Sequence, residues 1–337
     1  MSQLPAFLRP RPHHPLLRRT AASVQFGLVD RVVELTDLSA PLWHLVRRLP
    51  ERTRWPVDEL VALGVELGAA RSDVPALLTE LYAAGVLLDA DRHDRFTVAR
   101  RGAGVLVEGA GPLLAEVAAG LATAGVGWIG VHADPMGWPD EVAAAEAAVR
   151  RAAPNTKLIS ASRRVNPDLV MLTGTLAPDR ARLAELRADG TPTLPVRLID
   201  GLGLVGPLTL PGRTACLGCV ELHSIERDSC WPGSANGLTG IVGTASPATR
   251  RASAALAVDQ ATRWLDALVH PADPPPTLDT VLELDTARAQ LRHRRWSAHP
   301  DCPCGAAGTG STWFTGGPTA QGPAAYDSDI KGWRIVL

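Results

Sequence analysis

Thr214-Ala-Cys-Leu-Gly-Cys219 is the stretch around which this 337-residue chain is organised, together with its distant partner Cys302-Pro-Cys-Gly305. The two stretches hold four of the five cysteines. Zinc prefers four thiolate or imidazole ligands in a tetrahedron, and a Cys-x-x-Cys pair spans one edge of it well. We therefore expect a closed, structural zinc site, with two redox dithiols or unpaired thiols as the alternative. The expected ligands are Cys216, Cys219, Cys302 and Cys304.

Three further residues near these pairs have metal or thiol chemistry. His223 follows Cys219 by one helical turn and could replace Cys304 as a ligand, and His299 precedes Cys302. A packed or hydrogen-bonded histidine is the favoured interpretation of both. Cys230 lies outside the pairs, and we interpret it as an incidental cysteine and not as a nucleophile.

Composition narrows the class of protein. The length suggests two domains, and a hydrophobic content of 46% is enough for sizeable cores. A net charge of −1 provides no strong field toward nucleic acid or membrane. The basic N-terminus has no apolar signal core, and the apolar run near residues 113–130 is interrupted by Glu116 and glycines. We expect a cytoplasmic protein without a membrane span.

The first 98 residues predict a winged-helix domain. Short alternating strands are expected first, then three helices, then a hairpin wing formed by Val86–Leu88 and Arg95–Val98. The strands are Leu16–Arg19, Ser23–Leu28 and Arg31–Leu35, and the helices are Ala40–Leu49, Val57–Leu67 and Val74–Ala84.

A winged helix serves most often in DNA binding or in peptide binding. The third predicted helix has Asp73 and Glu80 but no basic residue between Ser72 and Ala84, which argues against contact with phosphates. The strand Arg31–Leu35 could instead form a free edge to which an extended peptide adds. A module that only packs against the rest of the chain is the third possibility.

Residues 99–305 predict an α/β domain. Gly104-Val-Leu-Val-Glu108, the turn Gly109-Ala-Gly111 and the helix Pro112–Ala124 are typical of the start of a dinucleotide-binding half. Strands and helices then alternate, which indicates a mostly parallel sheet covered on both faces. Residues 306–337 predict a flexible tail rich in glycine and proline, with an apolar tip that could dock on the same chain or on a partner.

The layout from Gly104 to Gly305 resembles the ThiF-like fold of ubiquitin-activating-type adenylyltransferases. A more specific stretch runs from Val205-Gly-Pro through Pro-Gly-Arg-Thr-Ala to Cys219 and continues to Trp231-Pro232. This stretch resembles the ocin-ThiF-like family, the leader-peptide-binding partners of YcaO cyclodehydratases in azole and thiopeptide pathways. The N-terminal domain resembles the recognition element for ribosomally made precursor peptides (RiPPs) in those proteins.

The resemblance implies a binding function without catalytic residues. The recognition element would take the leader peptide as an added strand, between its third strand and third helix. The ThiF-like domain would present the core peptide to the YcaO partner, which forms azoline and azole rings with ATP; a homodimer is also possible, because ThiF-like folds often pair. The carried-over peptide contacts are Arg31, Val32, Val33, Glu34, Leu35, Leu77, Leu78, Leu81 and Tyr82. Some of these leucines must face the core, and periodicity does not sort them.

The glycine turn departs from a nucleotide-binding loop. Gly109 and Gly111 are present, but Leu114 stands at the third glycine position and Pro112 removes a backbone donor. Asp134 could hold a ribose, although a solvent-facing turn is the alternative. We therefore expect no ATP binding, with an ATP-dependent adenylyltransferase acting on a peptide carboxylate as the alternative function, and a winged-helix DNA regulator as a third.

Overall fold

A computed structural model of the chain describes residues 4–20, 23–29, 32–133, 139–159, 166–231, 237–238, 240–271, 274–308, 328–330 and 333–336. For residue 139 and the last two ranges it describes the backbone alone. The chain divides into two compact units, Met1–Arg95 with Pro318–Leu337, and Phe96–Gly317. In the described part of the chain no helix is long and apolar enough to cross a membrane.

Among its described residues, the first unit has six short strands between residues 7 and 89. They are β1 (Phe7–Pro10), β2 (Leu16–Arg18), β3 (Ser23–Phe26), β4 (Val33–Thr36), β5 (Trp55–Pro56) and β6 (Leu87–Asp89). The helices are α1 (Ala40–Arg48), α2 (Val57–Glu66) and α3 (Asp73–Ala83), with a 3-10 turn over Leu49–Glu51. The division between the units falls within α4 (Ala90–Gly102).

The strands and helices of the first unit bury a shared apolar core. Alternation along β3 and β4 puts Val24, Phe26, Val33 and Leu35 on one buried face. Helices α1 to α3 pack leucines against this face, and Gly64 of α2 lies so close to Val74 that a side chain would clash with it.

Eight strands lie among the described residues of the second unit. They are β7 (Gly104–Gly109), β8 (Trp128–Ala133), β9 (Lys157–Ile159), β10 (Leu169–Thr173), β11 (Thr193–Ile199), β12 (Leu202–Val205), β13 (Thr280–Asp285) and β14 (Gln290–Arg295). The helices are α5 (Pro112–Thr123), α6 (Pro139–Ala152), α7 (Arg180–Ala188), α8 (Leu217–Arg227) and α9 (Pro247–Ala267).

These strands form one sheet in the order β14-β13-β12-β11-β10-β7-β8-β9. The five strands from β9 to β11 in this order are parallel, and β12 to β14 continue the sheet antiparallel. Helices α5 and α9 cover one face over the main apolar core, and α7 packs Leu186 on the other face. The predicted α/β class with a mostly parallel sheet is confirmed.

The order of the sheet creates a crevice at the carboxyl ends of β7 and β10. The chain leaves β7 toward β8 and β9, and returns to the other side of β7 with β10. Ligands of open α/β sheets bind at such a switch point. The glycine turn after β7 lies at this point, and Gly109 pairs with Thr173 in the register.

The predicted wing is wrong in its second half. Arg95–Val98 lies inside α4 and not in a strand, and β6 pairs with β1 near the N-terminus. Asp89 explains the helix, because its carboxylate accepts from the N–H groups of Asp91 and Arg92 and so caps the first turn. The assignment of a winged helix therefore stays a prediction.

The C-terminal segment also adds secondary structure to the first unit. Two strands, β15 (Ser328–Ile330) and β16 (Trp333–Val336), pair with each other, and β16 pairs with β4. The five-stranded sheet has the order β15-β16-β4-β3-β2. The predicted apolar tip of the tail thus docks as a strand on the chain's own N-terminal sheet.

Candidate functional site

The four paired cysteines come together in one cluster. The Sγ atoms of Cys216 and Cys219 are 3.8 Å apart, those of Cys216 and Cys302 3.6 Å, and those of Cys219 and Cys304 3.5 Å. Zinc–sulfur bonds of about 2.3 Å in a tetrahedron put the sulfurs about 3.8 Å apart. The cluster therefore has the dimensions of a zinc site with four thiolates and no open position.

The local sequence explains how the thiols converge. Cys216 is the residue before the first turn of α8, so Cys219 comes one helical turn later on the same side. Gly218 between them leaves room, because a Cβ there would lie 3.2 Å from the Cys302 sulfur. The second pair sits on a turn in which the Gly305 N–H donates to the Cys302 carbonyl, with Gly305 at a φ of 71°.

Electrostatics also suit a cation at this point. Hydrogen bonds from the Cys216 thiol and the His299 N–H lower the pKa of Cys219, whereas burial raises the pKa of Cys302. Four thiolates within 5 Å repel one another strongly, so only a cation among them lets all four ionise.

The two histidines near the cluster act as its neighbours and not as members of the four-sulfur group. His299 is buried and its Nε2 lies 2.9 Å from Glu226, while Nδ1 of His223 lies 3.2 Å from the same carboxylate. The second ring nitrogen of His223 lies 3.1 Å from the Ser297 carbonyl oxygen. Cys230 is exposed, outside the cluster.

The glycine turn after β7 packs tightly against the end of β10. The Ala110 N–H donates to the Thr173 carbonyl at 3.2 Å, and a Cβ on Gly174 would lie 1.9 Å from the Ala110 carbonyl oxygen. A Cβ on Gly111 would lie 2.9 Å from a methyl of Val242. The turn is therefore enclosed by protein atoms on two sides.

Few backbone donors of this turn remain for a phosphate. Ala110 donates to Thr173, the Leu114 N–H donates to the Gly111 carbonyl, and Pro112 has no N–H. Among residues 110–114, only Gly111 and Leu113 keep a donor outside these bonds. Asp134, the ribose candidate, lies outside the described residues.

A cluster of charged side chains lies at the carboxyl ends of β7 and β8, beside the glycine turn. The Arg182 guanidinium of α7 donates to both oxygens of Glu108, at 2.6 and 2.9 Å, and Nδ1 of His132 lies 3.8 Å from the same carboxylate. The hydrogen bonds that Arg182 donates to Glu108 raise the pKa of Arg182, and burial lowers the pKa of His132. The positive charge of Arg182 is thus already neutralised by an acid.

A cavity of about 860 Å³ opens on the α7 face of the second unit. Its walls come from α7, α8, the segment around Val242 and the turn of the second cysteine pair, and Trp231 also lines it. Arg197 of β11 is in its lining.

The predicted peptide edge is the outer side of β4. Two backbone hydrogen bonds at the ends of β2 and β3 show which groups face each other: the Gly27 N–H donates to the Pro15 carbonyl, and the Arg19 N–H donates to the Ser23 carbonyl. The backbone N–H and C=O groups of residues 23, 25 and 27 therefore point toward β2. In an antiparallel sheet, the backbone N–H and C=O groups of successive residues point alternately to the two neighbouring strands. The backbone groups of Val24 and Phe26 therefore point toward β4.

The same alternation identifies the outward groups of β4. Leu35 and Val33 pair with Val24 and Phe26, so their backbone groups are used toward β3. Glu34 and Thr36 therefore point outward, opposite Val336 and Arg334 of β16. The sequence suggested a free edge, but the chain's own C-terminal strand β16 covers it.

The predicted side-chain contacts of the peptide are distributed unevenly. Leu77, Leu78 and Leu81 are fully buried in the core, and Tyr82 is half-buried. Val32 and Glu34 are also half-buried, Val33 and Leu35 are buried, and Arg31 lies outside the described residues. Any peptide on this edge would contact backbone groups first and few of the predicted anchors.

Sequence reasoning missed three features: the Glu108–Arg182 pair, the position of Arg197 and the strand β16. Arg197 had a signal, because it is the one charged residue in the otherwise apolar run Thr193-Leu-Pro-Val-Arg-Leu-Ile199. The pairing partners of Glu108 and of β16 lie far away in sequence and left no local pattern.

No protein-family profile matches the sequence, and no curated protein matches it. Solved structures of low sequence identity do share the fold. MccB of E. coli with ATP is 12% identical at a TM-score of 0.59, covering 88% of this chain and 99% of MccB. MccB with AMPCPP and selenomethionine MccA is 12% identical at 0.60, with the same coverage.

The heterocyclase TruD also shares this fold, 16% identical at a TM-score of 0.57. The match covers 90% of this chain but 43% of TruD. At these identities the likeness shows the fold alone. It agrees with the predicted α/β fold class, and one of the MccB structures contains ATP.

Proposed function

We propose that this chain binds the leader part of a ribosomally made precursor peptide and delivers the peptide to a YcaO-type cyclodehydratase. The observation that carries the proposal is the pairing of β16 with β4. An edge that accepts one antiparallel strand through its backbone can accept another, because main-chain hydrogen bonds require no particular sequence. The MccB structures that contain MccA, and the heterocyclase TruD, add support at the level of fold.

In this proposal β16 occupies the edge of β4 to which the leader peptide would add. A free precursor must displace it, and the effective concentration of a tethered strand makes this costly. Removing the tail should therefore raise peptide affinity. The zinc site would serve as a structural support of the second unit, and no residue of this chain would be catalytic.

Adenylation of a peptide carboxylate is the second candidate, and the comparisons favour it over a binding protein. MccB shares the fold over almost its whole length and has been solved with ATP and with AMPCPP. The geometry of the turn favours the first candidate, since phosphates need backbone donors and few remain between Ala110 and Leu114.

Fluorescence polarisation of a labelled leader peptide, taken from a precursor gene beside this one, separates the candidates. The peptide should bind with micromolar affinity or tighter, equally with and without ATP and Mg²⁺. A variant that ends at Gly317 and so lacks β16 should bind roughly tenfold more tightly or better. Weak peptide binding together with clear ATP binding by calorimetry would establish the second candidate.

Matched variants of one residue test the edge itself. Glu34→Pro, in the protein that ends at Gly317, removes an outward N–H and should weaken peptide binding at least about tenfold. Glu34→Ala keeps the N–H and removes only the surface ion pair with Arg19, so its affinity should stay near that of the parent. Equal affinities of the two folded variants would exclude this edge as the binding site.

A further inference from the structure

Among the described residues, the second unit has a half-buried arginine, Arg197, with no anion paired to it. Alternation along β11 turns Leu194, Val196 and Leu198 into the main core, so Arg197 points to the opposite face, into the cavity. Its Nε is buried without a hydrogen-bond partner, and its Nη1 donates only a long bond of 3.3 Å to the Leu176 carbonyl.

The acids around the cavity do not pair with Arg197. Asp200, Glu221 and Asp301 also line it, and among the described residues none of them forms an ion pair with this guanidinium. Glu221 is paired with Arg180 at the cavity rim. Burial lowers the pKa of Arg197 to about 10, while part of the side chain stays accessible to solvent.

A guanidinium in such a position has a defined chemical preference. Its planar fork binds a carboxylate through two parallel hydrogen bonds. Keeping a guanidinium away from water without such a partner costs free energy. The rest of the lining is largely apolar, with Leu176, Leu183, Val220 and Ile241 as examples. A volume of about 860 Å³ suits a ligand the size of a few residues or of a small organic acid.

We propose that this cavity binds a carboxylate carried on an apolar body, with Arg197 as the anchor of the carboxylate. The site goes beyond the proposed function, because its chemistry holds whether the chain only binds a precursor peptide or also modifies one. The carboxylate could belong to a peptide C-terminus or to a free organic acid, and the two sources share this chemistry.

Calorimetry with purified, zinc-replete protein tests the site with four probes. N-acetyl-Leu-Leu-Val with a free carboxylate should bind at least about tenfold more tightly than its C-terminal amide. 4-Phenylbutyrate represents the free acid, and whichever of the two carboxylates binds more tightly identifies the source. Inorganic phosphate can bind the same guanidinium but lacks the apolar body, so it should compete at least about tenfold more weakly than the peptide acid. Equal binding of acid and amide would overturn the proposal.

Variants tie the preference to Arg197. Arg197→Met should reduce the affinity of the acid to that of the amide, whereas Arg180→Met makes the same change of charge at the rim and should keep the preference. The melting temperature of Arg197→Met should be equal to or above that of the wild type, because an unpaired buried charge is removed. A lower melting temperature with the preference retained would identify Arg197 as structural.

Arg197→Lys keeps the proposal testable if the methionine variant does not fold. An ammonium can hold the carboxylate but not with two parallel bonds. The preference for acid over amide should therefore fall severalfold and remain above one. An undiminished preference in this variant would exclude Arg197 as the anchor.

Discussion

The cysteine cluster and the glycine turn are both short motifs of the second unit, and they differ in how complete they are. At the cluster, two distant pairs bring all four sulfurs to distances that suit one metal ion. At the turn, the two glycines are in place, but the N–H groups of Ala110 and Leu114 are used within the protein and Pro112 has none. The four ligands of the cysteine motif are together, whereas the glycine turn forms hydrogen bonds within the protein.

The difference teaches that a motif is defined by groups outside it. Cys216 and Cys219 would be an ordinary helix start without Cys302 and Cys304. The glycine turn keeps its φ values, 152° at Gly109 and 76° at Gly111, because the strand–helix turn requires them. The turn can therefore persist as a structural element whether or not a nucleotide binds there.

The largest expected effect lies at the cluster. Cys302→Ser removes one of four thiolates, and because metal binding is coupled to folding the second unit should lose several kcal/mol of stability, or about 10 °C of melting temperature. Zinc content by mass spectrometry should fall from one ion per chain toward zero. Cys230→Ser, at an exposed cysteine outside the cluster, should leave both values unchanged. A zinc-free Cys302→Ser protein of normal stability would refute a structural zinc site.

The sequence predicted the cluster because cysteines are rare and their spacing is diagnostic. It predicted the mostly parallel sheet because buried parallel strands are continuous apolar runs separated by helices. It failed at Arg95–Val98, where alternation over four residues suits either structure and the cap from Asp89 decided for a helix.

The remaining features depend on contacts between distant residues. Arg182 reaches Glu108 from another helix, and β16 reaches β4 from the opposite end of the chain. Burial of Leu77, Leu78 and Leu81 was likewise open, since every one of them fits the apolar face of α3. Periodicity identifies a face, but the fold decides what covers it.

An intermediate effect is expected where the turn meets β10. Gly174→Ala introduces a Cβ at a φ of 88° and 1.9 Å from the Ala110 carbonyl oxygen, so the turn must shift. Gly125→Ala has a similar φ of 85° but nothing within 4 Å of the new Cβ. We expect about 1 kcal/mol of destabilisation at Gly125 and about 3 kcal/mol at Gly174, by chemical denaturation.

Comparing Gly174→Ala with Gly125→Ala separates the effect of the steric clash from the effect of the positive φ, which the two positions share. If both variants lose about 1 kcal/mol, the turn is loosely held and could open to admit a phosphate. A clearly larger loss at Gly174 would mean that the closed turn is part of the stable core, which favours a binding protein over an adenylating enzyme.

The smallest expected effect concerns His132 beside the turn. Burial is the main reason that its pKa is lowered, and Arg182 lowers it further while Glu108 opposes both. The unfolded chain therefore takes up the proton at a higher pH than the folded protein. Stability should fall as the pH drops below the ordinary histidine pKa of about 6.5 and should level off below the folded pKa.

His132→Gln removes this dependence and should give a shallower decline of unfolding free energy between pH 7 and pH 5 than the wild type, with a constant offset at pH 8. A cationic imidazole kept ready for a phosphate would behave in the opposite way, because its folded pKa would be raised and the wild type would gain stability as the pH falls. The sign of the difference in slope between the two curves thus reports whether His132 beside the glycine turn is held neutral or held as a cation that could meet an anion.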